Sequence, residues 1–401
     1  MATSPHVESS PEDLVTWPHV VVVGGGFAGL STVRKLANKP VRVTIVNKHN
    51  FHTFLPLLYQ VATAGLEPAD VAYPIRTVFG RATNISVRHA SVTAVDQARN
   101  VVVLDSGVEI RYDHMVVATG ATASFFNIPG AAKYAMPLYT LSNARRLRNR
   151  LLRAPEDAEV AAEFAPVALN FVVVGGGPTG VETAGALSEL IDIVIKRDGL
   201  QLGPSKMRIR LVDVTPWLLT AFPDTASSYA KKELEKMDVE VELGRSVVEV
   251  KDHSIVFSDG ENLDTAAVIW AAGVTASGTL ADALDGPKGP SGRVLVGPDL
   301  RLVNSENVWC VGDAAAIPGV KDGFYPQLAP VAIQSGCHCA TQILRALAAE
   351  KTQPFHLPRQ GHHGHDWSSR GGGETAPRGR DPRHGGLVRL VGAAPVLPRG
   401  F

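Results

Sequence analysis

Two glycine-rich segments of the same form are the strongest indication of function in this sequence, because their residues and spacing suit the binding of phosphate groups. Residues 20–30 read VVVVGGGFAGL, and residues 171–182 read FVVVGGGPTGVE. Each is a β-branched run, which predicts a buried parallel strand, followed by G-x-G-x-x-G and a helical pattern. The glycines permit a tight turn and let the backbone approach a pyrophosphate at the N-terminus of the helix. Two copies in this context predict a chain that holds two dinucleotides face to face, rather than two unrelated glycine turns.

The loop residues themselves are the first candidate binding positions. In the first unit they are Gly24, Gly26, Phe27, Ala28 and Gly29. In the second unit they are Gly175, Gly177, Pro178, Thr179 and Gly180. Because glycine has no side chain, the backbone of each loop can come close to a bound pyrophosphate.

The strand after each loop is expected to end in a residue that holds ribose hydroxyls. In the first unit residues 41–47 form that strand, and it ends at Asn47, followed by Lys48. An amide there can still bind a hydroxyl, but without the usual charge. In the second unit Asp213 ends strand 208–213. Its separation from Gly175 exceeds the usual value of about 20 residues, and we assign the excess to an insertion after the helix, at residues 191–205.

In each unit a later strand also ends in a turn at a glycine, which we call a glycine exit, as an internal duplication would give. Strand 112–119 ends in Ala118 and Thr119 and turns at Gly120, while strand 267–270 leads to Gly273. Glycine at such an exit again lets the backbone approach a ligand.

A later strand, at residues 307–311, ends in Gly312 and Asp313 and is predicted to open a helix. An acid at that point could hold a ribityl chain while the helix N-terminus faces a phosphate. Residues 87–95 and 101–104 are predicted to be antiparallel strands, and Val92 in the first of them is a further candidate contact.

Composition narrows the class of protein. A chain of 401 residues can form two or more domains, and 45% hydrophobic with 19% charged residues is ordinary for an α/β enzyme. A net charge of zero argues against nucleic-acid binding. Residues 1–17 lack the apolar region of a secretory signal. The sequence also lacks the uninterrupted apolar run that a spanning helix needs.

The three cysteines, Cys310, Cys337 and Cys339, all lie far from the first loop. A flavin disulfide reductase needs a close pair of thiols beside its flavin, so the sequence excludes that chemistry. The run from Cys337 to Cys339 lacks the spaced second ligand pair of a zinc site, and its neighbours fit a helix, so no metal is expected. Low cysteine usage suits a reducing cytoplasm.

Several segments together resemble the two-dinucleotide flavoprotein oxidoreductases and, within them, the type II NADH:quinone oxidoreductases, which are single-subunit enzymes that pump no protons. The matching segments are residues 55–63 (LPLLYQVAT), 177–182 (GPTGVE), 270–274 (WAAGV) and 311–313 (VGD). The resemblance covers roughly residues 18–356, and the segment at 55–63 is its most specific part.

The resemblance implies FAD in the first unit, NADH in the second, and a quinone that contacts the flavin from the opposite side. It favours Glu182 at the flavin–nicotinamide interface, although a first-turn acid also stabilises a helix dipole. Asp213 would then select NADH, because an acid repels the 2′-phosphate of NADPH. The quinone motif of the family, AQxAxQ, corresponds here to APVAIQ at residues 329–334. Pro330 replaces the first glutamine, so only Gln334 carries over.

The composition changes after residue 356 to Gly, Arg, His and Pro. The family continues there with amphipathic membrane-binding helices. Back-translation of residues 357–367, read one nucleotide later, permits a sequence close to that of the family. We therefore expect an out-of-frame, disordered tail from which the membrane anchor is lost, and a genuine low-complexity tail is the alternative.

The predicted fold is α/β, with two Rossmann-like dinucleotide-binding domains in FAD–NAD–FAD order. We assign residues 1–17 to a disordered lead, 18–140 and 296–350 to the FAD-binding domain, 141–295 to the NADH-binding domain and 351–401 to the tail. The predicted function is electron transfer from NADH through FAD to a membrane quinone. The family is cytoplasmic and peripheral to the inner face of the membrane, whereas this form would be more soluble. A homodimer stays open, as do a soluble NAD(P)H-dependent reductase of a small electron-transfer protein and a non-catalytic redox sensor.

Overall fold

Two five-stranded parallel sheets form the framework of the chain. The computed structural model describes residues 16–162, 169–197, 207–276, 280, 283–319 and 323–357. Within these ranges the strands are β1 (His19–Val23), β2 (Arg42–Asn47), β3 (Phe51–Thr53), β4 (Ala72–Pro74), β5 (Ile85–His89), β6 (Val92–Asp96), β7 (Val101–Leu104), β8 (Glu109–Arg111), β9 (His114–Val117), β10 (Ala121–Ala123), β11 (Met136–Pro137), β12 (Leu169–Val174), β13 (Met207–Asp213), β14 (Val239–Leu243), β15 (Val247–Val250), β16 (Ser254–Phe257), β17 (Asn262–Asp264), β18 (Ala267–Trp270), β19 (Val274–Ala276), β20 (Val294–Leu295), β21 (Val308–Cys310) and β22 (Ala315–Ala316).

The helices pack against these sheets. They are α1 (Phe27–Leu36), α2 (Leu58–Ala62), α3 (Ile75–Val78), α4 (Ala131–Tyr134), α5 (Leu141–Ala162), α6 (Pro178–Arg197), α7 (Asp224–Lys236) and α8 (Ala329–Leu347). Within the described ranges, none of them combines the length and the apolar character needed to cross a bilayer.

Four of the five strands have the same arrangement in the two sheets, and only one edge strand differs, β21 being the last in sequence of its sheet and β11 the first of its own. The first has the order β21-β9-β1-β2-β5, and the second has the order β11-β18-β12-β13-β14. In each, the central strand is the β-branched run that precedes a glycine loop. Both central strands, β1 and β12, are buried along their whole length, as expected for parallel strands covered on both faces. Each unit also contains a three-stranded antiparallel sheet, β6-β7-β8 in the first and β15-β16-β17 in the second. The predicted duplication is therefore visible in the strand order.

Two contacts between the units involve segments that the sequence analysis singled out. Strands β10 and β19, which follow the two later glycine exits, pair antiparallel with Ala121 opposite Ala276. The segment at residues 55–63 forms a 3₁₀ turn and then α2, and its side chains enter the apolar core of the second unit. Leu58 and Tyr59 are buried there in one cluster with Leu147 of α5 and Leu187 of α6. The most family-specific segment is thus a wedge from the first unit into the second.

Several elements differ from the sequence expectations. Residues 87–95 do not form one antiparallel strand, because β5 is the parallel edge of the first sheet and β6 starts a different sheet. The proposed insertion at 191–205 begins as helix, since α6 continues to Arg197. The strand before Gly312 opens only a 3₁₀ turn (Gly312–Ala314), which leads directly into β22.

The strand pairings also bear on the proposed domain limits. β11 belongs to the second sheet although it precedes residue 141. Leu280, Leu284 and Val294 pack in the core of the first unit although they precede residue 296. Phe355 is buried in that same core, so packed chain continues past residue 350. The expected tail from residue 358 onward, and most of the expected lead, lie outside the described residues.

Candidate active site

The outer glycines of both loops occupy positions that admit no side chain. Gly24 has a φ of +111°, and an added Cβ would lie 2.2 Å from the carbonyl oxygen of Ala118. An added Cβ on Gly29 would lie 1.9 Å from the carbonyl oxygen of Gly24. In the second loop Gly175 has a φ of +116°, and an added Cβ there would meet the Ala271 carbonyl. An added Cβ on Gly180 would lie 1.8 Å from the carbonyl oxygen of Gly175. These glycines let strand, turn and helix pack closely, as the motif predicts.

The middle glycine of each motif is different, because open space lies beside it. An added Cβ at Gly26 or Gly177 would have no described atom within 4 Å. Gly26 is also the N-cap of α1, and no side chain caps that helix. In the second unit Pro178 begins α6 directly after Gly177. Each loop therefore has room for an anion at the start of a helix, where free N–H groups and the helix dipole favour negative charge.

The residues at the two ribose positions hold their own loops. The backbone N–H of Gly25 donates to Asn47 Oδ1 at 2.8 Å, and Asn47 Nδ2 donates to the carbonyl of His49 at 2.8 Å. In the second unit the N–H of Gly176 donates to Asp213 Oδ2. Asp213 Oδ1 accepts from the backbone N–H of Thr215 at 2.7 Å and from its hydroxyl at 2.6 Å. Lys48, beside Asn47, is exposed.

A third wall of the first site comes from the turn at Gly312 and Asp313. The N–H of Gly312 donates to Ser335 Oγ of α8 at 3.1 Å, and Gln327 Nε2 donates to the Asp313 carbonyl at 2.9 Å. Burial raises the pKa of Asp313 to about 6, against the smaller opposing effect of the Arg293 guanidinium. A desolvated carboxyl at the strand edge beside the first loop is suited to accept hydrogen bonds from hydroxyl groups.

Helix α8 also supports the first loop from behind. An added Cβ on Gly336 would lie 2.2 Å from the carbonyl oxygen of Ala28, so the two helices cross in close contact. Thr32 Oγ1 lies 2.9 Å from the Ala28 carbonyl and 3.2 Å from the Gly336 carbonyl. Gln334 is half-buried on this helix. Pro330 lies in its first turn, where the missing N–H would have no helical partner.

The later glycine exits lie at the ends of β9 and β18. Gly120 and Gly273 both have positive φ, at +68° and +85°. Thr119 Oγ1 is buried and has no hydrogen-bond partner among the described residues. A buried hydroxyl without a partner fits a site whose ligand supplies the missing partner. The Phe126 ring covers Gly273, with an added Cβ only 2.7 Å from its edge.

Glu182 is the fifth residue of α6, so it lies beyond the first turn in which the sequence placed it, where that helix meets the wedge at residues 55–63. It is half-buried, and burial raises its pKa to about 8. The phenol of Tyr59 also has a raised pKa, caused first by burial, with the Glu182 carboxylate contributing. Gln60 Nε2 donates to the Tyr59 hydroxyl at 3.0 Å. A carboxyl that stays protonated at neutral pH in a contact between two nucleotide units can act as a proton donor.

The structure adds residues that sequence patterns did not reveal. His52 is buried, and its Nδ1 bonds to the Gly25 carbonyl at 2.9 Å, while Nε2 has no partner in the described chain. Its ring packs edge-on against Phe27 at 5.1 Å. The Tyr139 hydroxyl lies 4.0 Å from an added Cβ at Gly120, and burial followed by the Asp313 charge raises its pKa. The glycine motifs and strand ends used in the sequence analysis do not mark a single His or Tyr such as these. Val92 begins β6, outside the parallel sheet.

Comparison with known proteins now identifies the family. The model for pyridine nucleotide-disulphide oxidoreductases matches residues 18–336. The type II NADH:quinone oxidoreductase NdhA of Mycobacterium tuberculosis is 37% identical over 360 residues, which covers 85% of this chain and 75% of that protein. The chain belongs to this family, among the type II NADH:quinone oxidoreductases. A type II NADH:quinone oxidoreductase of Staphylococcus aureus is 29% identical over 85% of this chain and 86% of its own.

Solved structures confirm the fold of this type II oxidoreductase. The structure of NDH2 from Plasmodium falciparum in complex with NADH has a TM-score of 0.73 at 19% identity, covering 82% of this chain and 83% of that one. The sulfide:quinone oxidoreductase of Aquifex aeolicus has a TM-score of 0.68 at 19% identity, covering 83% and 77%. The predicted α/β fold with two Rossmann-like units is therefore correct.

The disulphide in the family description has no counterpart at this site. Cys310 and Cys339 are buried and Cys337 is half-buried, and all three are free thiols. Burial raises the pKa of Cys310 to about 12, so this thiol stays protonated. Among the described residues no group of His, Cys, Asp and Glu side chains could hold a metal ion. The residues of this type II oxidoreductase thus suit a flavin that works without a cysteine pair.

Proposed function

We propose that this chain is an FAD-dependent, non-electrogenic NADH dehydrogenase that transfers electrons from NADH to a membrane quinone. The observation that carries the proposal is the pair of matched glycine loops, each with open space beside its middle glycine, in two units joined through β10 and β19. When bound, FAD would accept a hydride equivalent from NADH and pass two electrons to the quinone. The named relatives, which are NADH:quinone oxidoreductases, support the same conclusion.

The first unit would hold FAD. Its pyrophosphate would lie against the loop at Gly26 and the first turn of α1, including Phe27 and Ala28. The desolvated Asp313 carboxyl would accept hydroxyls of the ribityl chain, and the orphaned Thr119 hydroxyl would gain a partner. Asn47 would contribute through the loop, because both ends of its amide are already bonded. We keep Lys48 and Val92 as proposed contacts of the adenosine end.

The second unit would bind NADH. Its pyrophosphate would lie against Gly177, Pro178 and Thr179, at the start of α6. Asp213 can bind ribose hydroxyls only with the acceptor capacity left by its bonds to Gly176 and Thr215. Its charge would still repel a 2′-phosphate. Gly273, at the β18 exit, would face the nicotinamide end of the cofactor.

Two side chains would act on the reaction. Glu182, whose carboxyl is protonated at neutral pH, would supply a proton where the two units meet. Gln334, on the helix that supports the flavin loop, would contact the quinone. We assign residues 18–140 and 296–350 to FAD and 141–295 to NADH. The exceptions are β11, which lies in the second sheet, and Leu280, Leu284 and Val294, which pack in the core of the first unit. Because the quinone is dissolved in lipid, the working enzyme would meet the cytoplasmic face of a membrane.

A multiple-turnover assay tests this function. Purified protein with bound FAD, NADH and a short-chain quinone should produce quinol, and a small iron–sulfur electron-transfer protein should be reduced far more slowly. Gly177→Val is the matched control, since it changes the NADH loop and leaves the FAD loop intact. Reduction of the electron-transfer protein but not of quinone would overturn the proposal in favour of a soluble reductase. Absence of both activities in FAD-loaded protein would favour a redox sensor.

A further inference from the structure

The loop after Asp213 places an exposed indole next to the proposed NADH site. Trp217 is 61% exposed and Val214 is 67% exposed, so two large apolar side chains of one short loop face solvent. Of the other tryptophans in the described chain, Trp270 and Trp309 are fully buried. Neither position belongs to the glycine motif or to the strand that ends in Asp213.

The backbone that carries this indole is fixed on both sides. Before it, the Thr215 hydroxyl lies 2.6 Å from Asp213 Oδ1 and 2.7 Å from the Trp217 carbonyl. After it, the N–H of Leu219 donates to the Gly176 carbonyl at 2.9 Å. Leu218 is fully buried, and its Cδ2 would lie 2.8 Å from an added Cβ on Gly176. The indole is therefore held beside the glycine loop while its surface stays open.

Dinucleotide geometry says which part of NADH would meet this surface. The ribose hydroxyls lie at the acid that ends the second strand, and the pyrophosphate lies at the glycine loop. The adenine is joined to the carbon next to the 2′-hydroxyl, so it must extend beyond the acid, away from the pyrophosphate. The residues that follow Asp213 line that outer side. A flat, uncharged, exposed ring there can stack on a base.

We propose that Trp217 is the adenine platform of the NADH site, with Val214 as a second apolar contact. The proposal rests on the function proposed above and adds a residue that sets dinucleotide affinity. Stacking on Trp217 adds affinity from the end of NADH that does not react. The nicotinamide end and the flavin are untouched by it, so it should affect binding and leave the chemical step unchanged.

ADP-ribose binding to the FAD-loaded protein tests this directly, because ADP-ribose has the adenine, ribose and pyrophosphate but cannot reduce a flavin. Calorimetry should show that Trp217→Ala weakens ADP-ribose binding by about tenfold or more, equivalent to about 1.4 kcal/mol. Trp217→Phe should retain most of the affinity. Tyr229→Ala, which removes another exposed aromatic ring from the same unit, should bind as the wild type does. Tryptophan fluorescence should be quenched by ADP-ribose in the wild type and not in Trp217→Phe.

Reduced nicotinamide mononucleotide, which lacks adenosine, supplies the second arm. Its rate of flavin reduction should be the same in the wild type and Trp217→Ala. Equal ADP-ribose affinities in those two proteins would overturn the inference, as would an equal loss with the mononucleotide or no ADP-ribose binding by the wild type. No arm uses quinone, so failure of quinone reduction alongside Trp217-dependent ADP-ribose binding would reject only the proposed function.

Discussion

The two glycine loops are built alike but are held by different groups. In both, the N–H of the second glycine donates to the side chain that ends the next strand, Asn47 in the first unit and Asp213 in the second. The first of these side chains is neutral, and the second carries a fixed charge. The first site is also supported by α8, where Gly336 packs against the Ala28 carbonyl and Ser335 Oγ accepts from the N–H of Gly312.

This difference matches the different demands on the two ligands. A cofactor that stays bound benefits from walls supplied by several parts of the chain, and the first site has β9, the turn at Gly312 and α8 around it. A substrate that must leave each turnover needs an open site and selection against its phosphorylated analogue. The second site provides the charge of Asp213 and the exposed loop around Trp217. The four strands that the two sheets share in arrangement therefore serve both a resident and an exchanging dinucleotide.

Valine at each middle glycine gives the largest expected effect and separates the two sites. Gly26→Val should weaken FAD binding by about 100-fold or more, because the side chain enters the pyrophosphate path. Gly177→Val should instead give a yellow protein whose flavin NADH cannot reduce. Both should fold, since an added Cβ at either site meets no described atom within 4 Å. Absorbance after gel filtration and anaerobic mixing with NADH measure the two outcomes, and the reverse pattern would exchange the two assignments.

Glu182→Gln tests the proton donor at the contact between the units. Flavin reduction by NADH should slow by about tenfold or more below pH 8. Because burial raises the pKa of Glu182 to about 8, the wild-type rate should fall toward that of the variant as the pH rises through that value. Stopped-flow flavin bleaching across the pH range measures this. An unchanged rate would mean that Glu182 donates no proton during flavin reduction.

Stability gives an independent control for the same variant. The fold favours the protonated carboxyl, so ionisation of Glu182 opposes folding. The wild type should therefore lose stability relative to Glu182→Gln as the pH rises from the ordinary value of 4.5 through about 8. Chemical unfolding at several pH values measures this loss, and a stability difference between the two proteins that does not change with pH would contradict the raised pKa.

Exchanging the two ribose-position side chains sharpens the comparison of charge. Asp213→Asn retains an oxygen for the Gly176 N–H but removes the charge, so the preference for NADH over NADPH should fall by about tenfold. The reciprocal Asn47→Asp should change FAD affinity by less than about threefold, because FAD has no 2′-phosphate to repel. The ratio of kcat/KM for NADH to that for NADPH measures the nucleotide preference. Titration of the apoprotein with FAD measures the FAD affinity. A preserved NADH preference in Asp213→Asn would mean that this charge does not select the nucleotide.

Ser335→Ala should act on the first site alone. It leaves the buried N–H of Gly312 without its acceptor, which should cost about 1–3 kcal/mol of stability and weaken FAD binding. Ser188→Ala is the matched control, because its hydroxyl donates to the Met237 carbonyl in the second unit. Denaturant unfolding and FAD titration compare the two. Equal FAD affinities would show that the bond between Ser335 and the Gly312 turn does not contribute to FAD binding.

The sequence predicted what backbone geometry determines. The glycine loops, the strand ends at Asn47 and Asp213 and the duplication all follow from periodicity and from positions that only glycine can occupy. It failed where long-range packing decides: residues 87–95 divide between two sheets, and β11 joins a sheet whose remaining strands follow it. His52, Ser335 and Trp217 act through contacts with residues distant in sequence or through surface exposure, which no local pattern records.

An anaerobic titration of the FAD-loaded protein tests the central claim most directly. One equivalent of NADH should bleach the visible absorption of the flavin, and NADPH at the same concentration should bleach it far more slowly. One equivalent of quinone should then restore the oxidised spectrum and yield one equivalent of quinol. A flavin that NADH cannot bleach, or that stays reduced when quinone is added, would contradict the assignment of this chain as an NADH:quinone oxidoreductase.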